Sequence, residues 1–347
     1  MSDKKHVLIV GGGIAGLSLA FYCVKNNISF KLLDSGINVS SKVAAGLVNP
    51  IVFRRMTKSW NADVFLPAAV SFYEEIGELL GKIYFHEIPI RRAFAHEQEL
   101  DLWKKREEQE AYNQFITPLS YLDSVYDGVL NSFGTGVVKQ SGYVETKSLL
   151  TDFSQWLSDK GFFEVHSFNY DDIDLVNTSY QGEAYRTIVF CQGYENKDNP
   201  WFSNLPIEST KGELLTIKSD QLSENESLNR KCFILPLGNK SFKVGSTYVW
   251  NTPNTDLTTE ALQLLDGQLA SLIKVPYSIV GQEAGIRPTV PDRRPILGRH
   301  PEYHNLAIFN GLGTKGYMLA PLLAMQLVAH LFFEGELDKE VLISRYF

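Results

Sequence analysis

The chain has 347 residues, enough for about two domains, and at 44% hydrophobic and 21% charged it lies outside the disordered and collagen-like classes. Lys plus Arg total 33 against 40 Asp plus Glu, a net charge of −7, which argues against a protein built to grip nucleic acid. Three widely spaced cysteines, Cys23, Cys191 and Cys232, form no CxxC and no zinc spacing, so neither a disulfide framework nor a bound metal is expected, and reduced thiols in a cytoplasmic protein fit best.

Lys4 and Lys5 precede a mostly apolar stretch from Val7 to Val24, the outline of a signal peptide or membrane span. Gly11, Gly12, Gly13 and Gly16 interrupt it, each costing about 1 kcal/mol in a helix interior, and no A-x-A cleavage site follows. The segment reads instead as an apolar strand over 6–10, a glycine turn, and a helix over 14–25 with Ile14, Leu17, Phe21 and Val24 on one face. A second strand over 29–33 ends in Asp34 and completes a β-α-β unit. Beyond it, helices are predicted over 68–80 (closed by Gly81), over the strongly charged 97–112, and over the amphipathic 147–160 (closed by Gly161). Residues 162–191 read as a β-meander ending in a buried strand over 187–190. Strands follow over 214–217, 233–235 and 242–244, the last two joined by a turn at residues 237–240. A helix over 258–273 carries Leu262, Leu265, Leu269 and Leu272, and an apolar strand covers 306–309. A glycine-rich turn from Gly311 to Gly316 then leads into a long apolar helix ending near Phe333. The pattern is α/β at both ends with antiparallel β between them. Neither end completes a fold alone, so two interleaved domains are expected.

Gly11-x-Gly13-x-x-Gly16 follows a strand and opens a helix. Gly11 permits the tight turn, Gly13 lets backbone approach a pyrophosphate, and Gly16 lets helix pack on strand. The helix N-terminus presents free N–H groups and the positive end of its dipole to the phosphates. Asp34, followed by Ser35, stands where a carboxylate accepts from ribose hydroxyls, and an acid rather than an arginine there disfavours a 2′-phosphate. The fingerprint alone does not separate FAD from NAD.

Four further stretches bear on that choice: 41–50 (SKVAAGLVNP), 142–144 (GYV) with 189–193 (VFCQG), 211–213 (KGE) with 244–247 (VGST), and 284–298 (AGIRPTVPDRRPILG) with 310–321 (NGLGTKGYMLAP). In this order, over nearly the whole chain, they resemble the FAD-dependent D-amino acid oxidase family, which includes glycine oxidase, sarcosine oxidase and D-amino acid dehydrogenase. The C-terminal stretch also resembles the flavin domain of the bifunctional enzyme that modifies the tRNA wobble uridine, whose additional methyltransferase domain has no counterpart in this sequence. The resemblance implies an α/β fold with a Rossmann-like FAD-binding domain over 1–85, 140–205 and 275–347, interleaved with a smaller antiparallel-sheet α+β substrate domain over 86–139 and 206–274. It implies FAD contacts from Gly11, Gly13, Ile14, Ala15, Gly16, Asp34, Ser35, Ala44, Ala45, Gly46, Gly193, Arg287, Gly311, Gly313, Thr314, Lys315 and Gly316. Arg287 matches the family's carboxylate-binding arginine, a planar fork suited to bidentate contact. Lys315 falls where the family places backbone near the flavin pyrimidine ring, and Tyr248 is a candidate for the substrate wall.

The activity so implied is oxidation of the C–N bond of a small amino acid or N-substituted amino acid. Hydride passes to flavin N5, water hydrolyses the imine, and oxygen or a quinone takes the electrons. No cysteine lies in the C-terminal flavin-facing segment and no histidine follows the Asp34 strand, so FAD is expected to be held non-covalently. Residues 53–60 (FRRMTKSW) are basic and aromatic, fitted either to an anionic substrate or to capping the interdomain surface, and Arg293 and Arg294 read as solvated or interdomain ion pairs. A tRNA aminomethyl-uridine-modifying flavoenzyme, a flavoprotein monooxygenase and a non-catalytic FAD-holding protein are the alternatives.

Overall fold

The computed structural model describes residues 5–37, 40–119 and 127–347. Lys4 of the basic N-terminal pair lies outside them.

The apolar run at the N-terminus becomes the strand Lys5–Val10 at the centre of an eight-stranded, mainly parallel sheet. It pairs in parallel with Phe30–Asp34 on one side and Glu183–Phe190 on the other. Leu306–Asn310 adds in parallel beyond Glu183–Phe190, and Ile296–Arg299 returns antiparallel at that end. Both faces are covered, which is why the middles of these strands, 7–10, 32–33, 188–190 and 306–309, are continuous apolar runs. Val7, Ile9, Leu32 and Phe309 face one core with the helices Ile14–Lys25, Ala62–Leu80, Thr146–Asp159 and Gly316–Phe332. Leu8, Val10, Ile188 and Phe190 face another, with Tyr180, Phe202 and Val290.

A second eight-stranded sheet carries the middle of the chain. Its longest ladder joins Glu208–Lys218 to Ser278–Thr289, antiparallel from Glu208↔Thr289 to Lys218↔Ser278. The hairpin Phe233–Gly238 to Ser241–Gly245 lies alongside. It turns through Asn239 and Lys240, both with left-handed φ (54° and 58°), the geometry a two-residue hairpin turn requires. Thr258 caps the helix Thr259–Ala270 by accepting from the Ala261 N–H, and Leu265 and Leu269 of that helix seal the sheet's outer face.

Three sequence expectations are corrected, and one long strand is added to them. The helix expected over 68–80 begins at Ala62, because Phe65 and Leu66 bury and draw an extra turn onto the core despite Pro67. The charged helix expected over 97–112 stops at Glu107, with a separate 3₁₀ turn at Glu110–Tyr112. Phe163–Val165 is not the first strand of a meander. After Gly161 (φ 76°) it lies parallel to Phe30–Asp34 at the sheet edge, and only the strands from Ile173 onward form the meander. Ser278–Thr289 was not anticipated as a strand, since Gly281, Gly285 and alternating polar residues mask its period.

Within the second sheet an ion pair is buried. Lys211 Nζ lies 3.4 Å from Glu213 Oε1, with the side chains 3% and 2% exposed. Glu213 accepts from the Thr258 N–H (3.0 Å), the Thr258 hydroxyl (2.8 Å) and the Gln282 amide (2.7 Å). Lys211 donates to the Asp256 carbonyl and to Asn254 Oδ1. Burial opposes ionisation of Glu213, but these donors and the ammonium outweigh it and hold the carboxyl below its ordinary 4.5. A carboxyl depressed by folding adds stability above its unfolded pKa and loses it as pH falls through the folded value. Glu213→Gln strands a buried ammonium and is expected to cost roughly 3 kcal/mol at pH 7, and to flatten the loss of stability on acidification below about 4.5. Urea unfolding at pH 7 and pH 4 checks both. Coincident curves for variant and wild type would contradict the assignment.

Candidate active site

A cleft of about 740 Å³ opens at the carboxyl ends of the parallel strands, between the two sheets, the position where open α/β sheets bind ligands. Gly11, Gly13, Ile14 and Ala15 line one end together with Asp34 and Ser35. Ser40, Ser41, Ala44, Gly193, Gly313, Thr314 and Gly316 line its length, and Gly212, Gly285 and Arg287 form the opposite wall. Of the sequence-predicted residues, Gly16, Ala45, Gly46, Gly311, Lys315 and Tyr248 do not line it.

The fingerprint glycines are held by close backbone approach. Gly11 has φ 108°, and a Cβ there would sit 2.5 Å from the Cys191 carbonyl oxygen. A Cβ on Gly16 would sit 1.9 Å from the Gly11 carbonyl oxygen, so Gly16 supports the turn from behind. Gly46 also works outside the cleft, pressed against the Val144 backbone. At the acidic end, burial and then the neighbouring Asp34 push Glu195 above the usual carboxylate range. Nothing in its local sequence marks Glu195 as a cleft residue.

The short helix Ser40–Val43 ties the cleft together. Ser41 Oγ accepts from the Ile14 N–H (3.1 Å) at the fingerprint helix, and Tyr317 donates its hydroxyl to the Ser41 carbonyl (2.7 Å). Ser40 Oγ donates to the Ile286 carbonyl (2.7 Å) and accepts from the Ile286 N–H (3.0 Å). Lys243 Nζ donates to the Val43 carbonyl (3.1 Å) and pairs with Glu283 (3.2 Å). Ser40 and Lys243 escaped the sequence reading, since a single hydroxyl or amine in an unmarked segment carries no pattern, and Tyr317 escaped it because the stretch 310–321 is marked by its glycines and Lys315 rather than by its tyrosine.

Arg287 follows Ile286 directly. Gly212 and Gly285 face each other across the ladder and leave the sheet bare at that point. A Cβ on Gly212 would lie 2.0 Å from Arg287 Nη2, so the guanidinium fills that glycine's place, while Ser40 packs over Gly285. Arg287 donates to Ser246 Oγ (2.9 Å) and lies over the Tyr248 ring, 5.4 Å from its centroid. Burial works against its charge, and among the described residues no carboxylate stands at ion-pair distance. Its other terminal nitrogen donates to the Thr247 carbonyl (3.5 Å), so neutral oxygens alone satisfy the fork, and a desolvated guanidinium with no carboxylate against it is a receptor for one.

Lys315 turns away from the cleft and donates to the Asn49 carbonyl (2.8 Å). The residue is half-buried overall, and desolvation of its ammonium lowers its pKa to about 8. Tyr248 reaches the site through its stacking on Arg287. Cys191 lines the cleft, but burial pushes its thiol well above the ordinary range, so it holds little thiolate at neutral pH.

A glycine cradle at a helix N-terminus, an acid ending the second strand and, in the far wall, an arginine with no carboxylate against it among the described residues fit an extended dinucleotide lying along the cleft. The chain belongs to the DAO family of FAD dependent oxidoreductases, whose family model matches residues 6–331. Over 98% of its length it is 23% identical to the tRNA 5-methylaminomethyl-2-thiouridine biosynthesis bifunctional protein of Legionella pneumophila, spanning 55% of that protein. The chain thus spans about half the length of that relative. It is 22% identical to glycine oxidase of Bacillus subtilis, over 97% of this chain and 96% of that one. The fold is that of glycine oxidase from Geobacillus kaustophilus, with a TM-score of 0.80 at 21% identity, covering 96% of this chain and 95% of that one. Among the described residues no helix is long and apolar enough to cross a membrane.

The lowered pKa of Lys315 makes a stability prediction. Folding disfavours its charged form, so wild-type stability is expected to rise as pH climbs from about 8 toward 10.5. Lys315→Met is expected to be more stable than wild type at pH 7 by about 1–3 kcal/mol, the difference closing over that pH range. Thermal unfolding of both proteins at pH 7 and 10 checks this. A variant no more stable at pH 7 would contradict an ammonium whose desolvation outweighs its bond to the Asn49 carbonyl.

Proposed function

We propose that the protein oxidises the C–N bond of an amino acid or N-substituted amino acid. The observation that carries this reading is Arg287, a desolvated guanidinium without a carboxylate partner among the described residues, set in the wall of a dinucleotide cleft. When bound, FAD supplies the two-electron acceptor that takes hydride from the carbon beside the substrate nitrogen. The chain's own residues bind and orient. The N-terminus of Ile14–Lys25, with Gly11 and Gly13, would hold the pyrophosphate, and Asp34 the ribose. Arg287 would clamp the α-carboxylate and fix which carbon faces the acceptor. An amine entering neutral needs no side-chain base, and water hydrolyses the released imine. Oxygen or a quinone would receive the electrons.

The domain division expected from the sequence is carried into this proposal with one refinement. Ser278–Thr289, inside the segment assigned to FAD binding, hydrogen-bonds along the second sheet, so it would serve as a wall shared by both units. FAD would be non-covalent, since the buried Cys191 thiol is a poor nucleophile. A second reading, action on an aminomethyl-uridine in tRNA, draws support from the similarity to the tRNA-modifying bifunctional protein.

A charge-assisted contact contributes about 1.5–3 kcal/mol, so Arg287→Leu is expected to lower kcat/KM for carboxylate substrates on the order of tenfold to a hundredfold while FAD stays bound. Arg287→Lys recovers only part, because an ammonium lacks the fork. Steady-state kinetics with FAD content measured in parallel checks this. An unchanged kcat/KM in Arg287→Leu removes the arginine from the site. Acid precipitation is expected to release the flavin into the supernatant, and flavin retained in the pellet contradicts non-covalent binding.

A further inference from the structure

Arg287 is not alone in lacking a carboxylate. The turn that follows its strand carries Arg293 and Arg294 in opposite directions. Arg294 behaves as an ion-pair arginine, stacked on Trp60 and 3.4 Å from Glu340. Arg293 does not. It is exposed, and among the described residues no carboxylate stands at ion-pair distance. The nearby Asp292 is engaged by Arg345 and by the Tyr346 hydroxyl.

What Arg293 touches is aromatic. Its guanidinium lies 5.6 Å from the Tyr248 centroid and 5.2 Å from that of Trp250, and it donates to the Tyr248 hydroxyl. Tyr248 is the same ring that Arg287 lies over. Two guanidinium groups therefore share one tyrosine, the inner one buried at the cleft wall and the outer one in solvent. Tyr248 and Trp250 are 38% and 40% exposed, a rim of apolar surface beside the outer cation. Like charges brought toward one another around a shared ring repel unless anions lie against them. In a chain of net charge −7 the missing carboxylates are not for want of acids.

We propose that Arg293 is a specificity-determining residue that reads a second anionic group on the substrate, distal to the carboxylate held by Arg287. This rests on the assignment of Arg287 as the carboxylate anchor. The preferred substrate is then an amine with an anion at each end, rather than glycine or sarcosine. The distal anion is a carboxylate on a small N-substituted amino acid or a phosphate of a nucleotide chain, the chemistry a guanidinium recognises in either case.

Redox-inert ligands separate binding from turnover. Methylthioacetate has one carboxylate. Thiodiacetate and 3,3′-thiodipropionate have two, at increasing span. Their binding to the FAD-loaded protein is read from perturbation of the visible flavin spectrum. At least one dicarboxylate is expected to bind tenfold or more tightly than methylthioacetate, and Arg293→Gln to bring it down to the level of the monocarboxylate. A short oligouridylate tests the other source. If it alone binds in an Arg293-dependent way, the distal anion is a phosphate. No preference for any dicarboxylate together with no Arg293-dependent oligonucleotide binding overturns the proposal, as does a preference that survives Arg293→Gln. Arg287→Leu is the control on the underlying assignment and should weaken all the carboxylates. If it weakens none, the anchor itself is wrong, and that result is distinct from a failure at Arg293.

Discussion

The arrangement depends on two facing glycines. Gly212 and Gly285 pair across the central ladder of the second sheet and leave no side chain between them. One side of that bare patch receives the Arg287 guanidinium and the other receives Ser40. Ser40 then makes a reciprocal pair of hydrogen bonds with the backbone of Ile286, the residue before the arginine. One residue further on, Ser41 caps the first N–H of the fingerprint helix. The fingerprint turn and Arg287 are thereby locked to each other through two adjacent hydroxyls. A shift of either sheet would break both contacts at once, so the distance between the glycine cradle and the arginine is set by the fold rather than by loop packing.

Charge follows from the same geometry. The long strand places Arg287 where water is excluded and where, among the described residues, no acid is supplied. By contrast, the buried Lys211 on the far side of the same sheet is given Glu213 and two oxygen acceptors. The chain thus gives a carboxylate to the cation inside the sheet and leaves the Arg287 guanidinium at the cleft wall without one among the described residues. An unpaired buried cation costs stability, and its retention beside a cleft is the pattern of a group awaiting an anionic ligand.

Much of this was legible in the sequence, for reasons that differ from element to element. The fingerprint could be read because its glycines are forced by backbone contact at Gly11 and Gly16, and only glycine meets that demand. The terminal acid and the apolar strands followed from sheet burial on both faces. The long strand holding Arg287 was not legible, because Gly281 and Gly285, the second of which makes room for Ser40, erase the alternation that marks a strand. Resemblance, not periodicity, pointed to Arg287. Lys315 was placed correctly in the turn before the last helix, but its side chain turns to Asn49 rather than into the cleft, a direction no spacing rule encodes. Ser40, Tyr317 and Glu195 act through contacts across long sequence separations, which a local reading does not contain.

The central claim is that a carboxylate held by Arg287 presents an amine to the flavin. It is tested most directly by anaerobic mixing of the FAD-loaded protein with amines that differ only in the anchor: sarcosine against sarcosinamide, and a dicarboxylic N-substituted glycine against its diamide. The account predicts that the carboxylates bleach the flavin and that the amides do so at least tenfold more slowly at equal concentration of neutral amine. Equal bleaching by carboxylate and amide, or no bleaching by any carboxylate-bearing amine, would contradict it.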